Sequence, residues 1–167
     1  MPFLAYMQTS VLAPLGMTHT GADYSDQVVL HRVRFYENRN GQIINTEQSE
    51  NSYKWAGGGL LSTPSDLVIM AAGLLNHSFL KKETVALLFT PQLLANGTNT
   101  NYGFGWRVGT DTKGRNIIHH GGSINGGRTF LLIYPNNNLI IAITANALEG
   151  TNINIPEAEA LAGYFLK

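Results

Sequence analysis

The sequence contains no cysteine, which excludes disulfides, thiol nucleophiles and thiolate metal sites. It also has no excess of charge, because eleven basic residues balance eleven acidic ones and no basic run stands out. Nucleic acid or an anionic membrane surface is therefore a poor candidate partner. No stretch of about 18 apolar residues is present, and no basic segment followed by a hydrophobic run opens the sequence. These residues thus offer no candidate membrane span or secretory leader.

The length of 167 residues and the 44% hydrophobic content are enough for one domain with a core. The most ordered pattern lies at residues 114–146, where three β-rich runs occur at 116–118, 129–134 and 139–144. Pro135 and the three asparagines after it form a strong turn signal between the last two runs. The pattern predicts three consecutive antiparallel strands, the first of which ends at two histidines and two glycines, residues 119–122.

Helical periodicity appears at both ends and in the middle of the chain. Apolar residues recur at helical spacing over 3–12, and Pro14 to Met17 predict the end of that helix. Thr63, Pro64 and Asp66 have the chemistry of a helix start, so a helix is predicted through residue 75. Further helices are predicted at 81–89 and 157–166. A loosely alternating run at 27–35, a polar turn at 38–41 and a return strand at 42–46 predict a hairpin.

His119 and His120 are the first candidates for chemistry. Neighbouring residues on a strand point to opposite faces, so the two imidazoles cannot share one role or chelate one metal together. Composition alone favours structural histidines. Gly121 and Gly122 favour a site instead, because glycine lets a substrate backbone approach the strand.

Several segments carry a resemblance to one family. These are FLAYMQTSVLAPLGMTHT at the start, GGLLSTPSDLVIMAAGLL in the middle, Tyr-Gly-x-Gly-Trp at 102–106, and the His-His-Gly triplet with the strands that follow it. Together they resemble the last part of the serine β-lactamase-like family, which includes class C β-lactamases, penicillin-binding DD-peptidases and related esterases. The resemblance implies an α/β (α+β) fold, a partial β-lactamase/transpeptidase-like fold with three C-terminal antiparallel strands, helices and a closing C-terminal helix.

The resemblance also implies roles for five residues. His119 replaces the lysine of the family's Lys/His-Ser/Thr-Gly triplet and is the expected catalytic group, and the amide of Gly122 is an expected oxyanion donor. His120, Gly121 and Asn146 are expected on the substrate-binding side of the cleft. For Asn146, a plain strand cap is an equally good interpretation.

The resemblance covers nearly the whole chain but only the C-terminal portion of the family's domain. The family's nucleophile motif, Ser-x-x-Lys, has one formal match at Ser78 to Lys81, which falls between two predicted helices and is taken as chance. Two formal Tyr-x-Asn matches, beginning at Tyr36 and Tyr134, fall on hairpin turns. We therefore expect a parent serine hydrolase that cleaves an amide, lactam or ester bond through an acyl-enzyme, and an isolated chain that is inactive.

Two rival hypotheses remain open. The chain is a non-catalytic module that binds a peptide or cell-wall fragment along the Gly122 strand edge, or it is an esterase that uses Ser123 with His119 or His120. Metal binding would need His19, His31 and His77, which are scattered over loops, so neither a metal nor a cofactor is expected.

Further expectations concern organisation and partners. Residues 1–101 form a helical and cleft-lip region and 102–167 the strands and last helix of one domain. The expected partners are a small-molecule or peptide substrate in the parent protein and the missing N-terminal half of the domain. Without that half, the sheet has an open edge through which the chain self-associates. The resemblance favours an extracytoplasmic parent, periplasmic or secreted, although these residues fix no location.

Overall fold

The protein is described by a computed structural model over residues 1–47, 50–147 and 153–166. A first helical stretch consists of α1 (Phe3–Met7), a π-helical segment (Gln8–Leu12) and α2 (Ala13–Leu15). It ends at Gly16, whose φ of 77° is the left-handed conformation that glycine adopts easily. The helix therefore continues past Pro14 and ends at Leu15, three residues later than the sequence predicted.

The middle of the chain is made of short elements around one long helix. They are β1 (Gly21–Ala22), β2 (Tyr36–Arg39), β3 (Gln42–Asn45), α3 (Trp55–Gly58), β4 (Leu60–Leu61), α4 (Pro64–Leu75) and α5 (Lys82–Leu88). β1 pairs with β4 and β2 with β3, both antiparallel. Thr63 caps α4, because its hydroxyl accepts a hydrogen bond from the Asp66 amide at 3.2 Å. The predicted helix start is thereby confirmed.

The C-terminal part forms a four-stranded antiparallel sheet followed by a helix. The strands β5 (Arg107–Thr110), β6 (Asn116–Ile124), β7 (Gly127–Tyr134) and β8 (Leu139–Ala145) lie in the order in which the chain makes them. The helix α6 (Ile155–Ala162) begins with a reciprocal capping box between Asn154 and Glu157. The predicted mixed fold with antiparallel C-terminal strands and a closing helix is confirmed.

The sheet is buried on both faces. Ile118, Leu131 and Ile133 pack with Ala71 and Leu74 of α4 on one face, which we call the α4 face. Ile117, Phe130 and Leu132 pack with Ala158 and Ala162 of α6 on the other, the α6 face. Because side chains alternate along a strand, each residue of β6 is assigned to a face by its position.

Three sequence predictions need correction. The run 27–35 is not a strand, because Val28 and Leu30 are 92% and 79% exposed and no strand of the described part of the chain pairs with them; the hairpin begins at Tyr36. The Tyr-Gly-x-Gly-Trp segment at 102–106, which the family resemblance implies is a strand, consists of bends and one isolated bridge from Tyr102 to Arg107, and the strand starts only at Arg107. The two histidines and two glycines do not end a strand either, since β6 runs through them to Ile124 and the turn lies at Asn125 and Gly126.

Within the described ranges, no helix is both long and apolar enough to cross a membrane. Those residues also contain no group of three or more histidine, aspartate or glutamate side chains placed to hold a metal ion.

Candidate functional site

The outer edge of β6 is the geometric centre of the candidate site. β5 pairs with β6 only from Asn116 to His119. In the part of the chain that the structure describes, the edge from His120 to Ile124 therefore has no strand beside it, and we call this segment the free edge. An unpaired edge presents backbone N–H and C=O groups to whatever lies next to it. Gly122 lies in the middle of the free edge, and a Cβ added there would meet no atom within 4 Å.

His119 lies on the α6 face and is 9% exposed. Its ring stacks on Phe130 with centroids 5.4 Å apart and an angle of 30° between the rings. Its Nδ1 atom is buried and has no hydrogen-bond partner among the described residues. A buried polar atom without a partner costs about 1–3 kcal/mol, so an unpartnered imidazole nitrogen here needs an explanation.

The environment of His119 keeps the imidazole neutral. Burial lowers its pKa below the usual histidine value, and the charge of Arg107, together with that of His120 when His120 is protonated, lowers it further. Arg107 is its register partner on β5. A neutral imidazole offers one N–H donor and one lone pair, which suits proton exchange or hydrogen bonding.

Close packing against Phe130 explains why residue 121 is a glycine. A Cβ at this position would lie 3.1 Å from the Phe130 ring, which is tighter than an ordinary contact. Gly121 and Phe130 are also register partners. The absence of a side chain at 121 thus lets the Phe130 ring lie against the strand and stack on His119.

His120 lies on the α4 face and is exposed. Its Nε2 atom is 2.8 Å from the hydroxyl of Tyr102. The predicted separation of the two histidines onto opposite faces therefore holds, with one ring buried against an aromatic side chain and the other hydrogen-bonded at the surface.

A cavity of about 260 Å³ adjoins the site on the α4 face. Thr129, which lines it, is the register partner of Gly122, so the cavity begins one strand in from the free edge. Its wall is mainly apolar side chains of the first helical stretch, β4 and α4, with four hydroxyl groups among them: Met7, Val11, Leu12, Met17, Thr20, Leu60, Ser62, Leu67, Met70, Thr129 and Thr144.

A buried carboxylate supports one wall of this cavity. Asp66 is 1% exposed and accepts hydrogen bonds from the His19 amide at 2.9 Å and from the Thr20 hydroxyl at 2.7 Å. The Thr20 hydroxyl also lies 2.8 Å from that of Ser62. These contacts fix the hydroxyl side of the cavity to the first turn of α4.

Asn146 lies away from the histidines. It follows β8, with β7 between it and β6, which places it about 10 Å across the sheet at the usual strand spacing. Its side-chain amide donates to the Arg34 carbonyl at 3.1 Å, and its own carbonyl accepts from the Tyr36 amide at 2.9 Å. In this structure Asn146 joins the β2–β3 hairpin to the sheet, which is the contact of a strand cap.

The Ser-His alternatives do not have the required geometry. Ser123 is on the same face as His119 but four residues along β6, about 13 Å away at the usual strand rise, and a serine and its base must be hydrogen-bonded. His120 is on the opposite face. Ser78 and Lys81 are exposed, in the turn after α4 and at the N-cap of α5, and neither is recorded in a hydrogen bond with the histidines.

Tyr102, Arg107 and Phe130 contact the histidines, and sequence reasoning did not single them out. The Tyr-Gly-x-Gly-Trp motif drew attention to residue 102 only as part of a strand. The register of the strands places Arg107 opposite His119 and brings the Phe130 ring against the His119 ring. That register depends on which turn residues stay unpaired, and no local sequence pattern specifies them.

Comparison with known proteins gives the family. The family description "Beta-lactamase" matches residues 1–164. The human serine beta-lactamase-like protein LACTB, mitochondrial, is 31% identical over an alignment 159 residues long, which covers 80% of this chain and 29% of that protein.

Solved structures share the fold. A penicillin-binding protein homologue from Pyrococcus abyssi superposes with a TM-score of 0.78 at 22% identity. The match covers 98% of this chain and 38% of the Pyrococcus abyssi chain. A penicillin-binding protein from Bacillus halodurans has a TM-score of 0.76 at 21% identity and covers 98% and 49%. The chain thus spans less than half the length of each of these relatives. On the family match over almost its entire length, the chain belongs to the beta-lactamase family.

Proposed function

We propose that this chain provides one half of the active-site cleft of a serine hydrolase that cleaves an amide, lactam or ester bond through an acyl-enzyme. The observation that carries the proposal is His119, a buried imidazole whose pKa is lowered by burial, one residue before the free edge; among the described residues its Nδ1 has no hydrogen-bond partner and that edge has no neighbouring strand. Unpartnered buried groups are rare in folded proteins and concentrate where a partner or a reaction is to be supplied.

In this proposal His119 exchanges a hydrogen bond with a group of the remaining half of the domain, and its neutral state lets it accept or relay a proton. The expected oxyanion donor, the Gly122 amide, faces Thr129 on β7, because the Asp111 amide donates to the Arg115 carbonyl and the outward-facing backbone groups alternate along β6 from there. On the free edge the outward backbone N–H groups are those of Gly121 and Ser123, and one of these two is the oxyanion donor in this proposal. One such donor contributes about 10²–10³ in rate. His120 and Gly121 belong to the same edge, with His120 facing the substrate and Gly121 permitting the His119 stack.

The nucleophile is assigned to the part of the domain outside this chain. Within the described residues, neither the Ser78 nor the Ser123 hydroxyl is hydrogen-bonded to a histidine or lysine, so the chain alone is expected to be inactive. Asn146 takes a structural role in this proposal because the Arg34 carbonyl occupies its amide.

A second candidate is supported by the free edge itself. An extended peptide can pair with an unpaired strand as an added strand, and its backbone then supplies most of the affinity. In that case the chain binds a peptide or cell-wall fragment without turnover.

The test is fluorophosphonate labelling read by intact mass. The chain alone is expected to take no adduct. The half of the Bacillus halodurans protein that this chain does not cover is then added, and labelling of a serine in that half is expected to depend on both pieces. His119→Phe keeps the stack on Phe130 and removes the nitrogens, and we expect it to slow labelling by about 10²–10⁴.

Ser78→Ala is the matched control and should leave labelling unchanged. An adduct on the chain alone, at Ser78 or Ser123, would refute this division of the site. Calorimetric binding of a peptide with no labelling in either mixture would support the peptide-binding candidate instead.

A further inference from the structure

Tyr102 and His120 form a side-chain pair at the beginning of the free edge. The Tyr102 hydroxyl and the His120 Nε2 atom are 2.8 Å apart, a normal hydrogen-bond length. The two rings meet edge to face, with centroids 6.0 Å apart and an angle of 79° between them. This is the one hydrogen bond recorded for the His120 ring within the described ranges.

The backbone holds Tyr102 firmly in place. Its amide donates to the Thr100 hydroxyl at 3.2 Å, and its carbonyl accepts from the Gln92 amide at 2.9 Å. The next residue, Gly103, packs so closely on the end of α5 that a Cβ there would lie 2.1 Å from the Leu88 carbonyl oxygen. A tyrosine anchored in this way imposes its geometry on an exposed histidine rather than following it.

The direction of this hydrogen bond depends on which ring nitrogen of His120 carries the hydrogen. The Arg107 guanidinium lies 5.6 Å from the centre of the Tyr102 ring, and no ion pair found in the described part of the chain involves Arg107 or His120. A phenol O–H is a good donor to the lone pair of a neutral imidazole, and the nitrogen without a lone pair then carries the hydrogen.

We propose that Tyr102 is a positioning residue for His120. Its hydroxyl donates to Nε2 and thereby holds His120 in the tautomer with hydrogen on Nδ1. His120 then presents an N–H donor at the free edge, two residues before Gly122, to an acceptor oxygen of the substrate. The contact between His120 and a substrate rests on the proposed function. The tautomer of His120 does not depend on catalysis and can be measured on the chain alone.

The experiment is two-bond ¹H–¹⁵N correlation spectroscopy of the labelled chain at about pH 8, above the ordinary histidine pKa of about 6.5. His120 is assigned from the spectrum of His120→Gln. We expect a protonated-type Nδ1 shift and an acceptor-type Nε2 shift, which is the opposite of the tautomer that histidine prefers in water. In Tyr102→Phe, which keeps the ring under Arg107 and loses only the hydroxyl, we expect His120 to revert to the Nε2–H tautomer.

Tyr53→Phe is the matched control, because Tyr53 is 80% exposed and lies outside this cluster, and His120 should not change. A His120 already in the Nε2–H form, or a spectrum unchanged by Tyr102→Phe, would overturn the proposal. If Tyr102→Phe unfolds the chain, the wild-type tautomer alone decides the question. A fixed Nδ1–H tautomer with no fluorophosphonate labelling of the paired halves would refute the proposed function and leave this inference standing.

Discussion

A methyl group added at Gly103 tests the anchoring of the loop that carries Tyr102. The Cβ of Gly103→Ala would lie 2.1 Å from the Leu88 carbonyl oxygen and 3.1 Å from the Thr90 carbonyl oxygen, both backbone atoms that cannot rotate away. The loop must move by about 1 Å to restore ordinary contact. That shift strains or breaks the hydrogen bond of 3.0 Å from the Phe104 amide to the same Leu88 oxygen.

The expected cost follows from these contacts. Overpacking typically costs about 1–3 kcal/mol and one lost hydrogen bond about 0.5–1.5 kcal/mol. The lower entropy of an unfolded chain with alanine offsets roughly 0.4–1 kcal/mol. We expect the free energy of unfolding to fall by about 2–3 kcal/mol, or the Tm by roughly 5–10 °C.

Urea unfolding followed by circular dichroism measures the change, with Gly109→Ala as the matched control. Gly109 lies on β5 with open space around an added Cβ, so alanine there should change the free energy of unfolding by less than about 1 kcal/mol in either direction. The reasoning would be refuted if Gly103→Ala were as stable as Gly109→Ala.

Three further predictions concern the sheet. Because burial depresses the pKa of His119 while an unfolded histidine binds a proton below about pH 6.5, the free energy of unfolding should fall as the pH drops from about 7 to 5. His119→Phe should flatten this dependence in urea titrations, and an unchanged slope would contradict the assigned environment. We propose that the chain self-associates through the outer edge of β8; sedimentation velocity should then show concentration-dependent dimers, which Thr144→Lys weakens by placing a charge beside the exposed strand. A monodisperse monomer at all concentrations would exclude this. Leu132→Ala, at a fully buried position, should cost about 2–5 kcal/mol in urea unfolding, and a cost below 1 kcal/mol would mean that the two faces of the sheet are not both buried.

The sequence predicted those elements whose signals are local. Thr63 and Pro64 specify the start of α4 by their own chemistry, and the continuous β-rich runs of β7 and β8 need no other part of the chain to be recognised. It misplaced the end of β6, because glycines that normally signal a turn here lie inside a strand. The true turn, at Asn125 and Gly126, also contains a glycine, so composition alone does not distinguish it from Gly121 and Gly122.

The candidate site was predictable only in its residue types. Two adjacent histidines must lie on opposite faces of a strand, and they do. The burial of His119 depends on Phe130, which lies on the neighbouring strand, and the anchoring of His120 depends on Tyr102, a residue of a separate loop. Such contacts are set by register and by loop packing, which appear only after the sheet has formed.

The strand order of the sheet has a consequence for how the protein folds. β5 to β8 are neighbours in space in the order in which they are made, so residues 107–145 form a meander that needs no distant segment to close it. Contacts of short sequence separation form early, because little chain entropy is lost in making them. We expect this meander to be the first cooperative unit in hydrogen-exchange pulse labelling. α4 and α6 then dock on its two faces, and the loop that carries Tyr102 closes onto an edge that already exists.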